Sequence, residues 1–219
     1  GGGGGGGGGW GLGGGGGVGG GRRIWLGRRG QFWWRRRFGR LVSKMNKWLC
    51  ILKHRWLDAS DTRRAVPDDM AERLAQRVGA SEARHTGEVR LCVEAALPLS
   101  YLWRLQPDRP IKGLVRERAV SWFGRMGVWD TEHNNGVLIY LLLPEHAIEI
   151  VADRGLARHV AADEWRDVIA LMAPRFRQEQ YEEGLAQAVD AVSLRLARHF
   201  PRLPDTPGHN ELPDAPVLR

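Results

Sequence analysis

The stretch of sequence that decides the fold is WDTEHNNGVLIYLLLPEHAIEIVADRGL, residues 129–156. Within it, residues 136–143 are apolar at nearly every position, which is typical of a central strand buried on both faces. Residues 147–152 form a second, partly amphipathic strand, and a turn of three residues separates the two. Because so short a connection joins antiparallel neighbours, the sequence predicts a hairpin with polar residues at its open end.

The segments around this hairpin predict the rest of the fold. A further strand is indicated by the alternation of apolar and polar side chains over residues 88–95. A helix at 114–126 joins that strand to the hairpin, so the first two strands should be parallel with a right-handed crossover. Other helices are expected at 67–85, 163–178 and 181–200. This order predicts an α/β fold: a single domain with a small three- or four-stranded mixed sheet sandwiched between helices.

Four segments are distinguished by composition. Residues 1–44 are rich in Gly, Arg and Trp, and they are predicted to be a disordered extension. Guanine-rich DNA encodes such a mixture in any reading frame, so an artefactual extension before Met45 and a genuine RNA- or lipid-binding arm both stay open. An amphipathic N-terminal segment (45–66) and the α/β domain (67–201) follow. Residues 202–219 are predicted to form a disordered Pro-rich tail.

The net charge of +8 belongs to the extension, which holds eight Arg, one Lys and no acidic residue. A surface that tracks phosphates should lie on the folded domain, so the charge distribution argues against nucleic acid as a partner. Two cysteines exclude a disulfide framework and indicate the cytoplasm. No apolar run approaches the ~20 residues of a transmembrane helix. The basic, Trp-containing residues 45–57 either lie on the inner membrane as a peripheral anchor or pack as a helix on the domain.

The predicted topology places polar residues at one rim of the sheet. A polar loop precedes the second strand, a charged pair follows the third, and His85 precedes the first. Carboxylate and amide oxygens suit Ca²⁺ or Mg²⁺, and imidazole also admits Zn²⁺ or Mn²⁺. The alternative is a solvated loop whose side chains cap turns. The predicted metal ligands are His85, Asp130, Glu132, His133, Asn134 and Asp153.

Four stretches of the chain together resemble the TPM domain family, over about residues 67–200. They are HTGEVRLCVE (85–94), RERAVSWFGRMGV (116–128), NNGVLIYLLLPEHAIEIVADRGL (134–156) and APRFRQEQYEEGLAQAVDAV (173–192). The resemblance implies an α/β sandwich with a calcium or other metal site in the polar rim. It also implies two kinds of activity, since the family includes a thylakoid-lumen protein with reported acid phosphatase activity and an accessory protein of a receptor channel.

The chain departs from the family pattern at two points. Asp153-Arg154 stands where many relatives have a glycine and an aromatic residue, and neither an export signal nor a C-terminal transmembrane helix is evident. The WDTEH sequence at 129–133 resembles a group of shorter companions of membrane-anchored TPM proteins. The implied partner is therefore a membrane-anchored TPM or LemA-type protein.

Three functions follow as hypotheses. The favoured one is a non-catalytic accessory domain that binds a protein partner and a structural cation. The second is a metal-dependent phosphatase, with Asp130, Asp153 and Arg154 as catalytic candidates and Arg154 holding the phosphate. The third is a nucleic-acid or lipid binder that uses its basic arm.

Overall fold

The structure is a computed structural model that describes residues 47–203 and 210–219. The predictions for residues 1–46, and for 204–209 of the tail, lie outside the described residues. Residues 47–55 are helical and are called α1. The other helices are α2 (Ala59–Ala65), α3 (Asp68–Glu82), α4 (Leu99–Leu102), α5 (Ile111–Arg125), α6 (Arg154–Ala157), α7 (Ala162–Arg177) and α8 (Tyr181–His199). The strands are β1 (Val89–Glu94), β2 (Val137–Leu142), β3 (Ala147–Ala152) and β4 (Val217–Leu218).

The four strands form one mixed sheet in the order β3-β2-β1-β4. β1 and β2 are parallel with Val89 opposite Val137, and β2 and β3 are antiparallel with Val137 opposite Ala152. Every residue of β1 and β2 is buried, because helices cover both faces of the sheet. The predicted α/β architecture, including the parallel crossover and the hairpin, is confirmed.

Two apolar clusters hold the layers together, one on each face of the sheet. On one face, α3, α7 and α8 contribute Leu74, Phe176 and Leu185 to the core. On the other face, α5 contributes Leu114 and α1 contributes Ile51. The amphipathic segment therefore packs on the domain. No helix in the described ranges has both the length and the apolar character needed to cross a membrane.

A buried ionic network lies on the α5 side of the sheet. Arg118 donates two hydrogen bonds to Glu94 from Nε and one from Nη2, with the shortest at 2.5 Å. Trp122 Nε1 and the Tyr140 hydroxyl donate to the same carboxylate at 3.1 and 2.6 Å. Because donors surround both oxygens of Glu94, this charge is tolerated in the core.

The C-terminal residues differ from the predicted disordered tail. Val217 and Leu218 pair with β1 in parallel, and the Arg219 N–H donates to the Val93 carbonyl at 2.9 Å. The prediction is wrong here because tertiary structure overrides composition. β1 offers an unpaired edge, and Val217 and Leu218 each pack against one of the two apolar clusters.

Two local features also differ from expectation. Asp153 begins a short helix, α6, that the sequence pattern did not predict. Pro174, whose ring would be expected to kink or split its helix, lies within one continuous helix, α7.

Candidate functional site

The polar loop before β2 and the turn after β3 meet at one rim of the sheet. The Asp153 N–H donates to the Gly136 carbonyl at 2.9 Å, and the Gly155 N–H donates to the Asn134 carbonyl at 2.8 Å. A Cβ on Gly155 would lie 2.4 Å from that Asn134 oxygen. Close approach of the two backbones therefore requires glycine at this position.

Asp153 is the buried carboxylate of this rim. It caps α6, and its Oδ1 accepts a hydrogen bond from the Arg154 N–H at 2.7 Å. Its Oδ2 is buried and has no donor among the described residues. A buried carboxylate oxygen without a donor or a cation is costly, so this atom is a candidate ligand atom.

Asn135 supplies a second buried oxygen at the rim. Its N–H donates to Thr131 Oγ1 at 3.1 Å, and its Nδ2 donates to Thr86 Oγ1 at 3.3 Å. The side-chain carbonyl Oδ1 has no partner in the part of the chain that the structure describes. Sequence reasoning chose its neighbour Asn134, which is exposed. The missed signal is that Asn135 lies only two residues before β2.

His85 is fully buried, and one hydrogen bond fixes its tautomer. Its Nδ1 lies 2.9 Å from the Gly87 carbonyl, which can only accept, so Nδ1 carries the proton. The Nε2 lone pair has no partner within the described ranges. Burial lowers the pKa of His85 to about 4, so the ring is neutral at physiological pH. Metal-binding histidines have this arrangement, with one nitrogen donating to a carbonyl and the other free.

The remaining predicted ligands are not brought together. Asp130, Glu132, His133 and Asn134 are exposed, and the Glu132 N–H faces the Glu211 carboxylate at 3.1 Å. At the rim, no three His, Cys, Asp or Glu ligand atoms of described residues come within 4.8 Å of one another. The structure does not bring the six predicted ligands into one cluster, because the four loop members are exposed, and their role in metal binding stays a prediction. Arg154 is also exposed, with its Nε 3.9 Å from Asp153 Oδ1.

A second cluster, which the sequence analysis did not predict, lies at the opposite end of the strands, beside the β2–β3 turn. Ligand atoms of Cys50, His54 and Glu145 all lie within 4.8 Å of one another. Cys50 and His54 are four residues apart on α1, and Glu145 is in the β2–β3 turn. The i, i+4 spacing is the signal that could have found the pair. A cavity of about 630 Å³ opens beside Cys50 and Glu145.

Hydrogen bonding makes this second cluster a poor cation site. The Leu97 N–H donates to His54 Nδ1 at 3.0 Å, so the ring proton lies on Nε2, 3.5 Å from Glu145 Oε1. A cation that binds Nε2 would have to displace that proton. The ring could then not move the proton to Nδ1, because Nδ1 already accepts a hydrogen bond from the Leu97 N–H. The adjacent His54 ring is the main cause that lowers the pKa of the Glu145 carboxyl. Burial, followed by the charge of Glu145, raises the pKa of the Cys50 thiol. We interpret the cluster as a polar contact that, with the Lys53–Glu145 ion pair, fastens α1 to the domain.

Comparison with known proteins places this fold in a family. The NMR structure of the BA42 protein from the psychrophilic bacterium Bizionia argentinensis is similar, with a TM-score of 0.57 and 22% sequence identity. The match covers 69% of this chain and 94% of that one, and at this identity it supports the fold alone. No curated protein matches significantly. The family model described as "TPM domain" matches residues 60–194, well over half of the sequence. The chain belongs to the TPM domain family.

Proposed function

We propose that this TPM domain is an accessory domain that binds a divalent cation at the rim, with Asp153, Asn135 and His85 as its ligand-bearing residues. The observation that carries the proposal is the set of three buried acceptor atoms without donors among the described residues: Asp153 Oδ2, Asn135 Oδ1 and His85 Nε2. In this role the domain works at the cytoplasmic face of a membrane, beside a membrane-anchored TPM or LemA-type protein.

The types of donor atom limit the choice of cation. One carboxylate and one amide oxygen suit Ca²⁺ or Mg²⁺, while a neutral imidazole favours Mn²⁺ or Zn²⁺. Because His85 titrates only near pH 4, its lone pair is available throughout the physiological range. The affinity for the cation should therefore stay the same from pH 8 down to about 5.5, because no proton competes with the cation for His85 in that range.

The test compares two Asp→Asn variants in the full chain. Asn caps helices as well as Asp, so Asp153→Asn should preserve α6 while it removes the ligand charge. The wild type is titrated separately with Ca²⁺, Mg²⁺, Mn²⁺ and Zn²⁺. We expect at least one of these ions to raise its free energy of unfolding. At a hundredfold excess over Kd the rise should be about 2.7 kcal/mol.

The matched control is Asp130→Asn, which makes the same change on the exposed loop. We expect Asp130→Asn to keep the stabilisation by that ion and Asp153→Asn to lose most of it. Equal stabilisation of all three proteins would refute the rim site, as would the lack of any effect on the wild type.

A phosphatase is the second candidate, favoured by one observation. The exposed Arg154 guanidinium lies next to the buried Asp153 carboxylate, so a phosphate monoester could be held beside a bound cation. Hydrolysis of p-nitrophenyl phosphate should then require the cation found above and should fall at least about tenfold in Arg154→Ala. If Arg154→Ala and Asp153→Asn hydrolyse it as slowly as the wild type, the enzymatic function is excluded.

A further inference from the structure

Helix α1 packs on the domain through one side and presents a strongly apolar side to solvent. Ile51 is 7% exposed and His54 is 4% exposed, so these residues lie on the packed side. Three large apolar residues lie on the other side at i, i+1 and i+4, and Trp56 directly follows the helix; all four are 54–80% exposed. We call them, together with Trp103, the tryptophan face: Trp48, Leu49, Leu52, Trp56 and Trp103.

Trp103 extends this face beyond α1. Its ring meets that of Trp48 edge-on at a centroid distance of 6.1 Å, and it remains 56% exposed. Lys47 donates from Nζ to the Trp103 carbonyl at 2.7 Å, which ties α1 to the segment after α4. The face is therefore built from two parts of the chain that are held in a defined arrangement.

Basic residues border the tryptophan face, and acidic residues are absent from this part of the sequence. Lys53 and Arg55 lie on the two flanks of the apolar stripe on α1, and both are exposed. The described residues 47–57 hold three basic residues, Lys47, Lys53 and Arg55, and no acidic one. An apolar stripe that contains tryptophans and is bordered by basic side chains is typical of helices that lie in the headgroup region of a bilayer.

We propose that the tryptophan face docks this domain on an anionic lipid bilayer, with α1 in the plane of the headgroups. Tryptophan prefers the membrane–water interface, and the long Lys53 and Arg55 side chains reach the headgroups while the stripe enters the acyl boundary. The positive charge of Lys47, Lys53 and Arg55 complements an anionic leaflet.

The inference specifies how the membrane location in the proposed function is reached, and it does not depend on the cation site. The tryptophan face lies near the end of the strands that carries the β2–β3 turn, because Lys53 and His54 contact Glu145 in that turn. The rim lies at the other ends of β1 and β2. Failure of one experiment therefore leaves the other unaffected.

Co-flotation of the full chain with vesicles tests the proposal. We expect binding to vesicles of phosphatidylglycerol and phosphatidylcholine in equal parts, and much weaker binding to phosphatidylcholine alone. The double variant Trp48→Ser/Trp56→Ser should reduce the partition coefficient at least about tenfold, since it removes two large interfacial side chains. The matched control Leu171→Ser/Leu194→Ser alters two equally exposed apolar residues on α7 and α8 and should bind as the wild type does.

Three results would overturn the proposal. The first is a wild type that does not float with anionic vesicles, and the second is a Trp48→Ser/Trp56→Ser variant that floats as well as the wild type. The third is a wild type that forms a concentration-dependent oligomer lost in this variant, without vesicle binding, which would assign the face to a protein partner. Circular dichroism of each variant checks the fold, and because both tryptophans are exposed we expect it to be unchanged.

Discussion

Replacement of Gly155 by alanine tests whether the loop and the turn of the rim are in contact as described. The added Cβ would lie 2.4 Å from the Asn134 carbonyl oxygen and 2.7 Å from that of His133. Both oxygens belong to backbone, so neither can be relieved by a rotamer change. One of the two segments must shift, and the hydrogen bond from Gly155 to Asn134 is expected to break.

The expected cost follows from two opposing effects. Overpacking against rigid atoms costs about 1–3 kcal/mol. Replacing a helical glycine with alanine returns at most about 1 kcal/mol of backbone entropy. Gly155→Ala should therefore lower the free energy of unfolding by about 1–2 kcal/mol, and it should weaken cation binding at the rim because Asp153 is two residues away.

The assay is urea unfolding of three proteins: the wild type, Gly155→Ala and Gly124→Ala. Gly124 lies in α5, and no atom of the described residues comes within 4 Å of the position that an alanine Cβ would take there. Its replacement should therefore stabilise the protein by about 0.5–1 kcal/mol. If Gly155→Ala lowers the free energy of unfolding while Gly124→Ala raises it, the result would support the described contact between the loop and the turn. If Gly155→Ala is as stable as Gly124→Ala, the loop and the turn do not touch, and the rim site fails with them.

Two further predictions concern buried charge. Burial raises the pKa of Glu82 to about 8 from 4.5, so the folded chain holds a proton there that the unfolded chain has lost. Stability should fall as pH rises through this range, and wild type should lose about 2 kcal/mol more than Glu82→Gln between pH 6.5 and 8, measured by urea unfolding. Arg118→Met leaves Glu94 buried without its guanidinium and should cost about 3–5 kcal/mol, whereas Arg118→Met with Glu94→Gln, which keeps an acceptor for Trp122 and Tyr140, should recover part of that loss. Equal thermal stability of the single and double variants would contradict this account of the ion pair.

The strands that could be predicted are those whose own side chains specify them. β2 is apolar at every position, and β1 and β3 supply apolar residues at alternate positions, so burial and period identify them. β4 has only two residues, in a proline-rich context, and it exists because β1 has a free edge. The free edge of β1 arises only from the tertiary structure. The residues around Val217 carry no local pattern that would predict a strand there.

The site could be predicted as a region but not as a set of residues. The antiparallel direction of β2 and β3 was sufficient to predict that the loop before β2 lies next to the turn after β3. It could not distinguish Asp130 from Asp153, which have the same chemistry but differ in burial. Likewise, Cys50 and His54 are recognisable as neighbours on a helix. Their meeting with Glu145 depends on how α1 packs, which the sequence alone does not show.

The parallel strands also separate the proposed cation site from the proposed docking face. β1 and β2 are six residues long, which corresponds to roughly 20 Å of extended chain. If the tryptophan face docks on a bilayer as proposed and these strands run along its normal, this length would hold Asp153 beyond the ~8 Å reach of the surface potential. A cation would then arrive from solution at its bulk concentration, and a partner that recognises the rim would need to extend that far above the lipid.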